Sequence, residues 1–123
     1  MTHLLLVEDN PDNAELICAL LEDEYDIHVA GTADDAMAYL EEVADNPPPL
    51  FLLDISLPGR DGVELLRQLR GDDRFSGIPA IALTAHAMKD DRNRLLAVGF
   101  DDYVSKPVDE AILTDSISRL LSP

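Results

Sequence analysis

Five short apolar runs recur along the chain, and each is followed by a longer stretch with helical periodicity. The runs occupy residues 4–7, 27–30, 50–53, 80–83 and 103–104. Between them lie stretches of roughly ten to fifteen residues in which apolar positions recur with a period of about 3.6. Strands that alternate with helices in this way pair in parallel and are covered by helices on both faces. The sequence therefore predicts an α/β fold, a doubly wound five-stranded sheet built from five βα units.

Capping residues support the boundaries of the predicted helices. The residues suited to cap a helix at its start are Asn10, Thr32, Asp61 and Asp109. Glycines stand just beyond the third and fourth helical stretches, at residues 71 and 99, where a helix commonly ends. These signals agree with the five apolar runs, so the βα repeat is supported by two independent patterns.

The first helical stretch carries two overlapping apolar stripes with the same spacing. The stripe predicted to face the core consists of Asn13, Leu16, Ile17 and Leu20. The stripe predicted to lie on the surface consists of Ala14, Cys18 and Leu21. One wide core-facing stripe that includes both sets is the alternative.

Length and composition limit the architecture. The 123 residues suit one domain, which we expect to span residues 1–123 with no output domain. The apolar runs are far shorter than the roughly 20 residues of a transmembrane helix, and the amino terminus lacks the basic region of a signal peptide. A single cysteine, Cys18, cannot form an internal disulfide, so we expect a cytoplasmic protein.

The chain is strongly acidic, which excludes some classes of partner. Its 25 Asp and Glu residues and 9 Lys and Arg residues give a formal net charge of −16. Such a surface repels nucleic-acid phosphates and anionic membranes, so neither is expected as a partner. Either adaptation to high salt or the codon bias of a GC-rich genome would account for the scarcity of lysine.

Polar residues follow four of the five apolar runs. They are Glu8 and Asp9 after the first run, Asp54 after the third, Thr84 after the fourth and Lys106 after the fifth. Ligands of open parallel sheets bind outside the carboxyl ends of the strands, so these side chains should converge. Carboxylate oxygens suit Mg²⁺, while an amine and a hydroxyl can donate hydrogen bonds to phosphoryl oxygens. The set therefore predicts a phosphoryl-transfer site with a carboxylate nucleophile.

Each of these residues also has an ordinary structural interpretation. Glu8 and Asp9 could form a solvated loop, and Asp54 or Thr84 could cap a helix. Lys106 is less easily explained in this way, because it is one of two lysines and precedes a proline. The joint occurrence of suitable groups at successive strand ends favours a shared site.

Four segments of this chain resemble the receiver domains of bacterial two-component response regulators. They read VEDNPDNAEL, FLLDISLPGRDG, IPAIALTAHAM and DDYVSKP, and together with the regions between them they extend over essentially the whole chain. The TAHAM segment is most similar to single-domain regulators and to the receivers of hybrid histidine kinases. The resemblance implies a flavodoxin-like strand order of 2-1-3-4-5.

The resemblance also implies an acceptor and a metal site. Asp54 would accept a phosphoryl group from a histidine kinase or a histidine phosphotransfer protein. Asp9 would hold Mg²⁺ directly, Glu8 would hold it through a water molecule, and Asp54 and the backbone carbonyl of Ser56 would complete the protein ligands.

Three further residues receive roles from the same resemblance. Lys106 would pair with the phosphoryl group and report its presence through the Lys106-Pro107 peptide, which is usually cis in this family. Thr84 would hydrogen-bond a phosphoryl oxygen. Tyr103 would turn inward when Thr84 moves toward the acceptor, although its position also suits an ordinary half-buried aromatic.

Neighbouring positions would modulate the chemistry. In the family, the residues two positions after the acceptor and after the threonine tune the lifetime of the phosphate, and here these are Ser56 and His86. His86 could equally be an exposed histidine without a role. Gly62 would permit a tight turn after the loop of residues 54–61.

Two partner surfaces are expected. The stripe of Ala14, Cys18 and Leu21 would dock the phosphodonor beside Asp54. Because no output domain is expected, the signal would leave through a protein effector bound to the face formed by the fourth helix, the fifth strand and the fifth helix. The chain would act as a monomer or a weak dimer, and as a switch with autocatalytic phosphorylation and dephosphorylation rather than as an enzyme.

Three other function classes fit this sequence less well than a receiver does. A phosphatase of the haloacid dehalogenase type would need an acid two residues after Asp54, where this chain has Ser56. A flavodoxin-like FMN protein would need a loop rich in Ser, Thr and Gly after the first strand, where this chain has acids that repel phosphate. A purely structural interaction module would not bind Mg²⁺.

Overall fold

The computed structural model describes residues 2–55, 62–85 and 89–122, the last range without the side chains of residues 89–91. Its five strands are β1 (Thr2–Val7), β2 (Tyr25–Ala30), β3 (Phe51–Asp54), β4 (Ala80–Thr84) and β5 (Asp102–Ser105). They pair in parallel in the order β2-β1-β3-β4-β5. This arrangement confirms the predicted flavodoxin-like sheet.

Five helices connect and follow the strands. They are α1 (Pro11–Leu21), α2 (Ala33–Glu42), α3 (Gly62–Arg70), α4 (Lys89–Val98) and α5 (Glu110–Leu121). Asn10, Thr32 and Asp109 cap α1, α2 and α5 by accepting hydrogen bonds from backbone amides of the first turn, as predicted. The predicted cap Asp61 lies outside the described residues. None of the described helices has the length and hydropathy needed to cross a bilayer.

The core consists of two apolar layers, one on each face of the sheet, because alternate strand residues point to opposite faces. Leu4 and Leu6 of β1 pack in one layer with α1 and α5. Leu5 and Val7 pack in the other layer with α2, α3 and α4. The helices thus bury both faces of the sheet and leave its carboxyl-terminal edge free to form a site.

The face of α1 that meets the sheet agrees only in part with the predicted one and is closer to the alternative of one wide stripe, because Ile17 is fully buried as predicted but Ala14 and Leu21 are buried with it. Ala14 and Leu21 are buried at 7 % and 1 % exposure, Cys18 is partly buried against the same layer, and Leu16 is 45 % exposed. The two predicted stripes have the same spacing, and Ile17 lies next to residues of both. Helical periodicity alone therefore did not show which residues face the sheet. The structure places the small Ala14 against the sheet, which lets the helix approach closely. The predicted docking surface of Ala14, Cys18 and Leu21 is therefore wrong, since it belongs to the core.

Arg70, the last residue of α3, ties together the ends of several elements. Its guanidinium donates hydrogen bonds to the carbonyl oxygens of Gly99, Ser76 and Ile78 at 2.6–3.3 Å. It also pairs with Asp101 at 3.2 Å. Gly99 has a φ of 126°, which favours glycine, and it ends α4. This cation therefore fixes the end of α4 against α3 and the start of β5.

Candidate functional site

Four strand ends bring the predicted polar residues to one edge of the sheet. The last residue of β3, Asp54, pairs with Leu83 of β4. The last residue of β4, Thr84, pairs with the last residue of β5, Ser105, and Lys106 follows directly. Glu8 follows the last residue of β1 in the same way. The register thus aligns the carboxyl ends, and the side chains of the predicted set start from neighbouring backbone positions.

Three carboxylates form a cluster at this edge. Oxygen atoms of Glu8, Asp9 and Asp54 all lie within 4.8 Å of one another. Glu8 and Asp54 are buried at 2 % and 3 % exposure, whereas Asp9 is exposed. Close carboxylates repel one another, and a hard divalent cation with oxygen ligands relieves that repulsion. The donor set therefore fits Mg²⁺, held by two buried carboxylates and one that opens to solvent.

Lys106 bridges the two buried carboxylates. Its Nζ donates a hydrogen bond to Glu8 Oε1 at 2.8 Å and another to Asp54 Oδ2 at 2.9 Å. The Lys106-Pro107 peptide is cis, as the resemblance implied. The backbone amide of Lys106 donates a hydrogen bond to the carbonyl of Thr84 at 2.7 Å, which anchors this segment to β4. Contacts of both the side chain and the backbone of Lys106 thus hold its ammonium group beside Asp54.

Burial and the contacts with Lys106 shift the pKa of Glu8 in opposite directions, and burial and the contacts with carboxylates do the same for the pKa of Lys106. Burial raises the pKa of Glu8 from its ordinary 4.5 to about 7, and a hydrogen bond shared with Asp54 adds to the rise, while Lys106 opposes it. Burial by itself would lower the pKa of Lys106, but the hydrogen bonds to Glu8 and Asp54 outweigh it, so the pKa is raised. Lys106 therefore stays charged at neutral pH, and Glu8 holds a proton more readily than an exposed carboxyl does.

Thr84 lies beside Lys106 at the strand ends, whereas Tyr103 lies earlier on β5. Thr84 is fully buried at the end of β4, and its carbonyl accepts the hydrogen bond from the backbone amide of Lys106. Tyr103 lies on β5 opposite Ala82, is half-buried, and packs against the layer that contains α4. It also lines a groove between β5 and α5, together with Pro107. The structure therefore places Thr84 next to the charged cluster and Tyr103 at the surface of β5 and α5.

Gly62 lets the start of α3 lie close against the backbone of Asp54 and Ile55. Its amide donates a hydrogen bond to the carbonyl of Ile55 at 3.1 Å. A Cβ at this position would contact the carbonyl oxygen of Asp54 and would lie 2.9 Å from Ile55 Cα. The predicted tight approach at Gly62 is therefore present. The two predicted tuning positions, Ser56 and His86, lie outside the described residues.

One feature of the site was absent from the sequence-based expectation. Lys106 was expected to pair with a phosphoryl group, yet its Nζ is equally close to Glu8. The only signal in the sequence was the charge balance at the strand ends, where three acids meet one base. A lone cation among several acids is shared between them when burial removes the competition from water.

The family model described as the response regulator receiver domain matches residues 4–118. An uncharacterised 14.6 kDa protein from the sodA1 3′ region of Leptolyngbya boryana is 42 % identical over 107 residues, which cover 86 % of this chain and 79 % of the relative. Response regulator Rre1 of a Synechocystis strain is 38 % identical over 122 residues, with 94 % of this chain and 52 % of the relative covered. Sensor histidine kinase GacS of Pseudomonas protegens is 38 % identical over 119 residues, with 94 % and 13 % covered. The chain therefore spans most of the first relative but only part of the other two.

Solved structures give the same result. The signal receiver domain of a signal transduction histidine kinase from Syntrophus aciditrophicus superposes with a TM-score of 0.86 at 32 % identity, covering 98 % of this chain and 90 % of that one. The receiver domain of a sensor histidine kinase from Pseudomonas aeruginosa gives a TM-score of 0.82 at 32 % identity, covering 97 % and 96 %. That second structure has a magnesium ion coordinated in its active-site cleft.

Proposed function

Because this chain belongs to the family of response regulator receiver domains, the signalling switches of two-component systems, we propose that Asp54 is its phospho-acceptor. A carboxylate oxygen of Asp54 attacks the phosphorus of a phosphohistidine on the donor. The P–N bond breaks, an acyl phosphate forms, and the imidazole leaves with the electron pair of that bond. The observation that carries the proposal is the buried Asp54 carboxylate with Lys106 Nζ 2.9 Å away.

The side chains around Asp54 have distinct roles in this proposal. Asp9, Asp54 and the carbonyl of Ser56, with Glu8 acting through a water molecule, would hold Mg²⁺, which would supply positive charge to neutralise the phosphoryl group. Lys106 releases part of its contact with Asp54 and donates to a phosphoryl oxygen. The hydroxyl of Thr84 donates to another oxygen. Both groups are already within or beside the site, so little reorganisation is needed.

Intact mass after incubation with acetyl phosphate tests the acceptor. Wild-type protein should gain about 80 Da, the mass of one covalent phosphoryl group, only when Mg²⁺ is present. Asp54→Asn should gain nothing, because the amide is not a nucleophile under these conditions. An equal gain in both proteins would place the phosphate elsewhere, and no gain in either despite Mg²⁺ binding would favour a pure interaction module.

Phosphorylation is proposed to act on the surface formed by α4, β5 and α5. The added charge and hydrogen bonds would favour one arrangement of Thr84, Tyr103 and the segment that contains Lys106. Since Tyr103 borders the groove between β5 and α5, its ring would alter the shape of that surface. A protein effector that binds one arrangement more tightly would then read the state of Asp54.

The phosphodonor is proposed to approach over the exposed face of α1. Leu16 is the large apolar residue open to solvent there, and it borders a small cleft with Ile17, Pro107 and Val108 beside Lys106. Leu16→Arg should slow phosphotransfer from a cognate donor and leave modification by acetyl phosphate unchanged. Val29→Arg, at an exposed apolar position on β2, is the matched control. Equal slowing by the two variants would contradict docking at α1.

A further inference from the structure

The lysine and arginine residues of this chain all lie at or beyond residue 60. All 9 of them lie between Arg60 and Arg119, whereas acids occur from Glu8 onward. The elements β1, α1, β2 and α2 therefore contain no lysine or arginine, and the last three of them contain acids. This side of the molecule carries most of the uncompensated negative charge.

Some of these acids lie at a helix end where the helix dipole is unfavourable for negative charge. The carboxyl end of a helix carries a partial negative charge and favours cations. Neither α1 nor α2 has a basic residue in its last turn, and α2 ends with Glu41 and Glu42, followed closely by Asp45. Glu41 is paired with Arg74 at 2.6 Å. Among the side chains that the structure describes, Glu42 and Asp45 have no hydrogen-bond or ion-pair partner.

These two acids line a groove of about 540 Å³, which we call the amino-end groove. Its walls are the start of β1 at Thr2 and His3, the end of α2 at Tyr39, Glu42 and Val43, and residues 45–49 of the following loop. β1 begins here, so the groove lies at the amino-terminal edge of the sheet. The phosphoryl-transfer site lies at the carboxyl-terminal edge, so the two are separate.

The walls of the amino-end groove are rigid. Residues 47–49 are three consecutive prolines, whose φ angles are restricted by their rings. The ring of Tyr39 stacks on His28 with a centroid separation of 3.6 Å and an interplanar angle of 6°. A groove that is already ordered loses little entropy when a ligand enters. Tyr39, Val43 and the prolines give it an apolar floor beside the two unpaired acids.

We propose that the amino-end groove binds a basic, extended peptide segment of a partner protein. Arginine or lysine side chains of the segment would pair with Glu42 and Asp45, and its apolar side chains would pack on Tyr39 and the prolines. The unpaired acids and the negative carboxyl end of α2 favour a cationic ligand. The groove adds a concave surface for the apolar side chains of the segment, which a flat acidic surface would not provide. This binding is independent of Asp54 and goes beyond the phospho-acceptor function.

The test uses a blocked, fluorescein-labelled hexapeptide of alternating Arg and Val, titrated into the full chain. Wild type should bind it, and Glu42→Gln with Asp45→Asn should weaken binding by about tenfold through loss of two charge contacts. Asp23→Asn with Asp73→Asn removes the same charge at exposed positions outside the groove and should change binding less than about twofold. Equal weakening by both double variants, or no binding by wild type, would overturn the proposal.

Two further readouts separate a fitted groove from general attraction to an acidic protein. Amide chemical shifts of wild type should change mainly within residues 2–3 and 39–46 on addition of the peptide. A hexapeptide of alternating Arg and Ser should bind more weakly, because it lacks the apolar contacts. Shift changes spread over all acidic segments, or equal affinity for the two peptides, would refute a specific site. Acetyl phosphate labelling of the groove variant should stay normal, which distinguishes this result from failure of the acceptor site.

Discussion

Replacement of Glu8 by glutamine should stabilise the metal-free protein at alkaline pH. Glu8 is buried at 2 % exposure beside Asp54, and burial holds its pKa at about 7 rather than 4.5. A carboxyl whose pKa is raised by folding contributes its full stability below the unfolded value, and that stability is lost as the pH rises through the folded value. Glutamine has nearly the same shape and does not ionise, so the variant avoids this loss.

The magnitude follows from the pKa difference. A tenfold change in acid dissociation corresponds to about 1.36 kcal/mol, so ionising Glu8 in the folded protein costs about 3 kcal/mol at pH 8 and above. The free energy of unfolding of Glu8→Gln should therefore match wild type near pH 4 and exceed it by up to about 3 kcal/mol near pH 8. The difference should grow between pH 4.5 and 7, the interval set by the two pKa values.

Urea unfolding at several pH values, in buffer with a chelator, measures this difference. Glu15→Gln on the exposed side of α1 is the control and should shift stability by less than about 0.5 kcal/mol at every pH. Mg²⁺ should reduce the advantage of Glu8→Gln at pH 8: at 100 times its dissociation constant it stabilises the binding-competent protein by about 2.7 kcal/mol, and Glu8→Gln should gain less. Lower stability of Glu8→Gln at pH 8 without metal, or a difference independent of pH, would contradict a raised pKa of Glu8 in the folded protein.

Three further predictions concern packing and reactivity. Leu21→Ala should lower the free energy of unfolding by about 2–5 kcal/mol and Leu16→Ala by less than about 1 kcal/mol in urea titrations, and the reverse order would contradict the observed face of α1. Gly62→Ala should lower the free energy of unfolding by about 1–3 kcal/mol and slow labelling by acetyl phosphate, because the added Cβ would lie 2.9 Å from Ile55 Cα. Labelling at the wild-type rate would mean that the backbone adjusts freely. Burial raises the pKa of the Cys18 thiol, and the charge of Glu22 adds to the rise. Iodoacetamide at pH 8 should therefore modify Cys18 more slowly in the folded protein than in the urea-unfolded protein. Equal rates in the two states would contradict this.

Local sequence patterns were sufficient to predict the sheet and most of the site. Asp54 and Thr84 each end an apolar run, and the alternation of runs and helices places those ends at one edge of a parallel sheet. Caps such as Asn10 and Thr32 act over three residues, so they too are visible in sequence. These features depend on neighbours along the chain, which explains why the parallel sheet and the acidic cluster could be expected, whereas the strand order was implied only by the family resemblance.

Features decided by tertiary packing could not be predicted in this way. The two stripes of α1 are equivalent in spacing, and only contact with the sheet selects Ala14 and Leu21 over Leu16. Arg70 looks like an ordinary basic residue at the end of a helix, yet carbonyl groups from two later loops converge on it. The contact between Glu8 and Lys106 joins the first and last strands, and no local pattern encodes it.

The site residues lie far apart along the chain, so the site can assemble only late during synthesis on the ribosome. Lys106 contacts Glu8 across 98 positions and Asp54 across 52 positions. Contacts this far apart cannot close until the intervening chain has been made, and domains generally fold as units. In a growing chain Lys106 thus cannot pair with Asp54 until β5 has left the ribosomal tunnel. Under the proposed function, partly made copies would be unable to take phosphoryl groups from a donor, so only completed domains would compete for the signal.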